Sequence, residues 1–316
     1  MIRRLVEISG SYYVALPKSW VRMLNMEKGS TIELTLTESG IIVRPPRMEE
    51  EAPPRQIRLR VAHGIGRQII AAYLRGYDLI EVFDPNGIAQ EYRREIEKVT
   101  DLLIGLEVVR EDSKSLLLEC LWLRKGGVWN YIKRMDFIAR SMYKDAISGL
   151  LDHDINLLQN VIERDIKVDK LYFLVVRMIR SMLLDLGSLL HKGINLLRLL
   201  DYRLIAKNVE EIADYSEDMA RRSMAILSQR LRLPTAIERL YEITCEIEKL
   251  EDRVMHAYET AEVSAVPDFI SIIHSLKDDI SSLERKLSHR SNELRSITEY
   301  LFRIIDLIAD VSDLLA

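Results

Sequence analysis

The sequence predicts a multidomain α+β protein, and three observations carry that reading. Residues 1–48 alternate apolar and polar side chains at the period of strands. Residues 55–123 switch between strand and helix periods, and residues 124–316 keep a helical period almost throughout. With 316 residues, 48% of them hydrophobic, the chain is long enough to bury a core and to divide into more than one domain.

In the first zone the strand period is clearest at Thr31 to Leu36 and Gly40 to Arg44. Turns are signalled at Ser9-Gly10, Lys28-Gly29 and Ser39-Gly40. The run from Glu49 to Pro54 joins like charges to paired prolines and reads as a linker. The second zone predicts a strand at Gln56 to Val61, a helix at Gly66 to Arg75 and a strand at Asp78 to Phe83. A helix at Ala89 to Ile104 and strands at Leu106 to Arg110 and Ser115 to Leu121 complete a small α/β unit. The third zone predicts an all-α bundle whose proline-marked breaks fall near Pro234 and Pro267. It also reads as internally duplicated, because Val161 to Asp169 resembles Thr244 to Asp252.

Charge gives no global reason to expect nucleic-acid binding, since 49 acidic residues face 45 basic ones for a net charge of -4. Any such site must be local. Cys120 and Cys245 lie in different zones without metal-ligand or redox spacing, which predicts buried, unreactive thiols in a reducing compartment. Glu7 and Ser9 interrupt the start too early for a secretory signal, and the chain is expected to be cytoplasmic. The most apolar stretch, Leu171 to Leu190, contains Arg177, Arg180 and Asp185, so no transmembrane segment is predicted.

The segment Gly10 to Val21, with its Leu16-Pro17-Lys18 step, followed by Met26 to Leu34, resembles the AbrB, SpoVT and MazE swapped-hairpin family. That resemblance implies an obligate homodimer whose interleaved hairpins close one β-barrel and present basic side chains to DNA. The zone carries seven basic against four acidic residues, an excess that dimerisation would double. Arg3, Arg4, Lys18, Arg22, Arg44 and Arg47 are the candidate phosphate contacts. The alternative is an ordinary solvated surface on a module that only dimerises the chain. Trp20 is read as a core anchor of its short helix rather than a base-stacking platform.

Residues four apart share a helical face, so Asp165 with Asp169, Glu210 with Asp214, and Glu248 with Asp252 each project two carboxylates one way. Spacing alone is weak, because chance gives about eight acidic pairs of this kind in such a composition. The surrounding sequence says more. Leu199 to Ala220 and Ile162 to Tyr172 resemble the acidic helices of the PhoU family, and the order of the three zones resembles the archaeal fused version. The resemblance implies tandem three-helix bundles, here about 124–230 and 235–316, a role in phosphate homeostasis, and acidic pairs that hold metal ions. Asp165, Asp169, Glu210 and Asp214 stand at the family positions in the first repeat. In the second, Glu248, Asp252 and Asp306 do, but Phe302 replaces a glutamate.

Oxygen-only ligands favour Mg, Mn, Fe or Zn. His256, one turn after Asp252, is an optional nitrogen ligand and is read first as an ordinary, partly exposed histidine. His153, between Asp152 and Asp154, is read as part of a solvated turn. The helical zone has no glutamate followed three residues later by histidine, and the chain shows no Walker-type loop or nucleophile motif, so no enzymatic activity is expected. The expected function is a phosphate-homeostasis regulator that binds DNA and whose helical domain binds metal ions, phosphate or both. The alternative is a dimeric adaptor that docks on a phosphate transporter or signalling partner at the membrane.

Overall fold

The computed structural model describes residues 2–37, 40–45, 54–121, 127–184, 195–229, 234–287 and 292–315. It divides into an N-terminal unit and a second unit that contains everything described from residue 54 onward.

In the N-terminal unit, β1 (Val6–Ile8) pairs antiparallel with β2 (Ser11–Tyr13), and β3 (Glu33–Thr37) with β4 (Gly40–Arg44). Ser9 and Gly10 both have positive φ, at 53° and 79°, as a two-residue hairpin turn whose twist matches its strands requires. Between the hairpins α1 (Lys18–Met23) starts behind Pro17 and ends at Asn25, whose φ of 54° lets Met26 N–H reach back to the Val21 carbonyl at 2.9 Å. The expected barrel does not close within one chain: the two hairpins remain separate two-stranded sheets. Among residues 2–45 none of the described side chains is buried. Trp20 is 51% exposed, so it anchors no core within one chain, and Leu36 is 82% exposed. The reason is size, for among the described residues of this unit four short strands and six helical residues have no second layer to pack against. Residues 1–50 expressed alone are therefore expected to sediment as a dimer, and a folded monomer in light scattering would remove the swapped-hairpin reading. The linker from Glu49 to Pro54 lies outside the described residues except for Pro54.

In the second unit β5 (Gln56–Arg60), α2 (Ile65–Leu74) and β6 (Leu79–Phe83) form a parallel crossover; α3 (Gln90–Leu102), β7 (Leu106–Glu111) and β8 (Ser115–Cys120) follow. The sheet order is β5-β6-β8-β7, with β8 antiparallel to both neighbours. All six elements stand where the sequence periods predict them. Ile65, Ile69, Tyr73, Ile80, Val82, Ile96, Leu116 and Leu118 make the core.

Six long helices follow among the described residues: α4 (Val128–Leu151), α5 (Ile155–Leu184), α6 (Leu196–Ser228), α7 (Pro234–Thr260), α8 (Val266–Leu287) and α9 (Asn292–Asp313). α4, α5 and α6 pack mutually as one bundle, and α7, α8 and α9 as a second. The seams between the bundles are α4 on α7 and α6 on α9. Pro234 and Pro267 fall in the first turns of α7 and α8, where the missing N–H costs nothing. α4 turns into α5 through His153 at φ 59°, in an exposed turn as expected. Gly149 lets the two helices approach there, since a Cβ on it would lie 2.8 Å from Leu158.

α5 explains the most apolar stretch of the sequence. Leu171, Leu174, Val175, Val176, Met178 and Ile179 are buried because α5 has the bundle on one side and the α/β core, through Phe173, on another. No described helix is long and apolar enough to cross a membrane. Cys120 and Cys245 form no disulfide and are half-buried rather than buried, and Cys120 packs against the margin of the α/β core. The duplication read from residues 161–169 and 244–252 does not map onto equivalent helices. The first segment lies on the second helix of its bundle and the second on the first helix of the other.

A candidate metal centre between α5 and α6

α5 and α6 are neighbours in the first bundle, and their acidic pairs meet. Asp165 and Asp169 of α5 and Asp214 of α6 each offer an oxygen within 4.8 Å of the other two. Asp165 and Asp169 are half-buried and Asp214 lies at the rim. Among the described residues none of the three is in an ion pair. The nearby ammonium of Lys207 is held by Glu210, one turn away on its own helix, and stands 3.7 Å from Glu211. Asp165 Oδ1 is buried with no hydrogen-bond partner. An acceptor left so costs folding free energy unless something positive approaches it.

The electrostatics record the same crowding. Burial, then Asp169, Asp214, Glu217 and Glu210, push the Asp165 carboxyl up to about 7. Burial, Glu210 and Asp169 push Asp214 up to about 6. Asp169 is raised by burial, Glu210 and Glu217, against a lowering by Lys207. Glu217, three residues after Asp214, is the group that sequence reasoning missed. It bonds Arg221 at 2.5 Å on its own helix, and its i+3 relation to Asp214 was the available signal.

The other predicted site residues stand elsewhere. Glu210 borders the cluster but is tied to Lys207. Glu248 and Asp252 lie on α7 and face α4, where Lys144 bonds Glu248 at 2.7 Å and Arg140 bonds Asp252 at 2.5 Å. Asp306 of α9 bonds Lys277 of α8 at 2.5 Å. Among the described residues no group of three ligands forms around these acids. His256 is exposed. In the N-terminal unit Arg3, Arg4, Lys18 and Arg22 are exposed or half-exposed. Arg44 ends β4, its side chain is not among those described, and Arg47 lies outside the described residues.

Residues 132–223, which run from α4 to near the end of α6 and include every member of the cluster, match the family model of the PhoU domain. The helical unit carries a PhoU domain. Residues 5–51 match the model described as antidote-toxin recognition MazE, bacterial antitoxin. Among solved structures the chain is similar to PhoU from Pseudomonas aeruginosa, at 18% identity and a TM-score of 0.51, over 60% of this chain and 93% of that one. It is also similar to the phosphate transport system regulatory protein PhoU from Streptococcus pneumoniae, at 12% identity and a TM-score of 0.47, over 60% and 91%. No curated protein sequence matches the chain. The first likeness establishes a PhoU fold for the helices, and the PhoU domain places its carboxylates on neighbouring helices of one bundle.

Proposed function

We propose that the protein is a cytoplasmic phosphate-homeostasis regulator that binds DNA through paired N-terminal units and binds a metal ion through its PhoU domain. The observation that carries the metal half is the convergence of Asp165, Asp169 and Asp214 around an unpartnered, buried carboxylate oxygen. Three such groups fit a hard or borderline cation, Mg, Mn, Fe or Zn, which would supply the positive charge that the site lacks. Asp165, Asp169 and Asp214 would hold it. Glu210 and Glu217 add negative charge at the border.

The test is protein purified without chelator, analysed for metal and melted before and after stripping. Metal should raise the melting temperature by an amount that grows with its concentration. In the stripped protein the folded carboxyls hold protons more tightly than the unfolded ones, so stability should fall as pH rises from about 4 to about 7. Asp169→Asn with Asp214→Asn should lose metal, lose part of that pH dependence while Asp165 keeps the share that its burial causes, and fold at least as well as the stripped wild type. A wild type that carries no metal and does not respond to Fe, Mn, Zn or Mg would leave the carboxylates as a solvated helix face.

For the DNA half, Arg3, Arg4, Lys18 and Arg22, none of them buried, on a unit that needs a partner support the reading. Pairing two chains doubles their charge along one surface. Binding to a fragment upstream of the protein's own gene should weaken steeply with salt. Arg3→Ala with Arg4→Ala should lower the slope of log affinity against log salt by about one unit for each phosphate that the two arginines neutralise. An unchanged slope in a gel-shift series would favour the adaptor reading, with the hairpins serving only to join two chains.

A further inference from the structure

The two bundles place different chemistry between their second and third helices. In the first, α5 and α6 both supply carboxylates. In the second, α9 supplies Asp306 and Asp310 one turn apart, whereas α8 supplies Lys277, whose Nζ lies 2.5 Å from Asp306 Oδ1. The same ammonium stands 5.9 Å from the centroid of the Phe302 ring, one turn before Asp306. It also favours the charged form of Asp310, which burial, Asp313, Asp306 and Glu211 disfavour. A phenyl face attracts an ammonium through its quadrupole but gives no lone pair to a divalent ion. Ring and carboxylate together therefore suit an organic cation, and the chain provides one.

We propose that Lys277 is the built-in cation of the second bundle: its ammonium takes the position between second and third helices that the first bundle leaves to a metal ion, so the chain carries a single metal centre. The count of one rests on the reading of the first bundle given above, while the seat for Lys277 does not. The tethered charge cannot dissociate, so Asp306 keeps its counter-ion at any metal concentration. Only the first bundle then changes charge as metal comes and goes.

Stripped full-length protein tests both parts. Without metal, Lys277→Met should lower the melting temperature by roughly 2 to 4 °C. Adding Asp306→Asn should recover at least half of that loss, because the carboxylate deprived of its ammonium is the source of the cost. In equilibrium dialysis against Mn2+ and against Zn2+, Asp306→Asn with Asp310→Asn should leave the number of ions bound per chain unchanged. Asp165→Asn with Asp214→Asn should abolish binding. A fall in bound metal for the Asp306 and Asp310 variant overturns the proposal, as does additivity of Lys277→Met and Asp306→Asn. Should the wild type bind neither ion, the first-bundle reading fails and takes the count of one with it. The thermal coupling between positions 277 and 306 then decides the seat for Lys277 alone.

Discussion

Glu251→Ala is expected to cost about 3 kcal/mol at neutral pH, whereas Glu251→Gln should cost less than about 1 kcal/mol and be the more stable protein at pH 9. Glu251 of α7 and Asp136 of α4 are each 2% exposed and face one another across the seam between the bundles. Tyr143 O–H donates to Glu251 Oε2 at 2.8 Å, and Arg140 bonds Asp136 at 2.9 Å and Asp252 at 2.5 Å. Asp136 and Asp252 thus share one guanidinium at this seam, and Glu251 has only its distant attraction. Asp136 Oδ1 has no donor as long as both acids are ionised. A proton on Glu251 supplies the donor, and the two carboxyls then hydrogen-bond.

Burial, then Asp136, hold the Glu251 carboxyl well above the ordinary range. The folded state therefore binds a proton that the unfolded chain releases above about pH 4.3. Stability contributed by this acid is full below that pH and declines as pH rises toward the folded value. Glutamine keeps a donor for Asp136 and an acceptor for Tyr143 without titrating, and alanine orphans both. Urea unfolding from pH 5 to 9 decides it: a Glu251→Gln variant that keeps the wild-type pH slope would show that the seam holds no proton.

Arg177→Met should cost about 2 to 3 kcal/mol and loosen the α/β layer from the helices. Arg177 of α5 is 3% exposed, yet it carries a charge. Its Nη1 donates to the carbonyls of Tyr73 at 2.6 Å and Tyr77 at 2.9 Å, just where α2 ends, and its Nη2 lies 3.3 Å from Asp78. The guanidinium also stands 4.7 Å from the centroid of the Tyr73 ring. Methionine fills much of the volume but leaves the Tyr77 carbonyl without this donor. The Asp78 side chain is 45% exposed and finds water, which holds the cost at the lower end for a broken buried pair. Hydrogen exchange of α2 and β6 should quicken more than that of α4, and a cost below about 1 kcal/mol would mean that the layers are held by apolar packing alone.

Much of the architecture was legible along the chain because its causes are local. The period of two in Leu79 to Phe83 and of 3.6 in Gln90 to Leu102 is set by backbone geometry, as is the demand for positive φ at Ser9-Gly10. The carboxylate pairs of α5 and α6 were legible for the same reason, since residues four apart share a face in any helix. Which face meets which neighbour is another matter. Asp165 and Glu248 each begin an acidic i, i+4 pair, yet packing set the first among carboxylates and the second against Lys144, 104 residues away. Asp306 stood at an expected ligand position, and only the approach of α8 brought Lys277 to it.

Arg177 in an apolar run counted in the sequence against a membrane span. Its partners, 99 to 104 residues away, turn it into the clamp on the α/β layer. The sequence by itself therefore determined the elements, their order and the faces of each helix, through spacings that the local backbone imposes. Tertiary structure alone decided which charges meet, because a carboxylate becomes one of a carboxylate cluster, half of an ion pair or a buried acid according to the side chain that packing sets within a few ångströms of it.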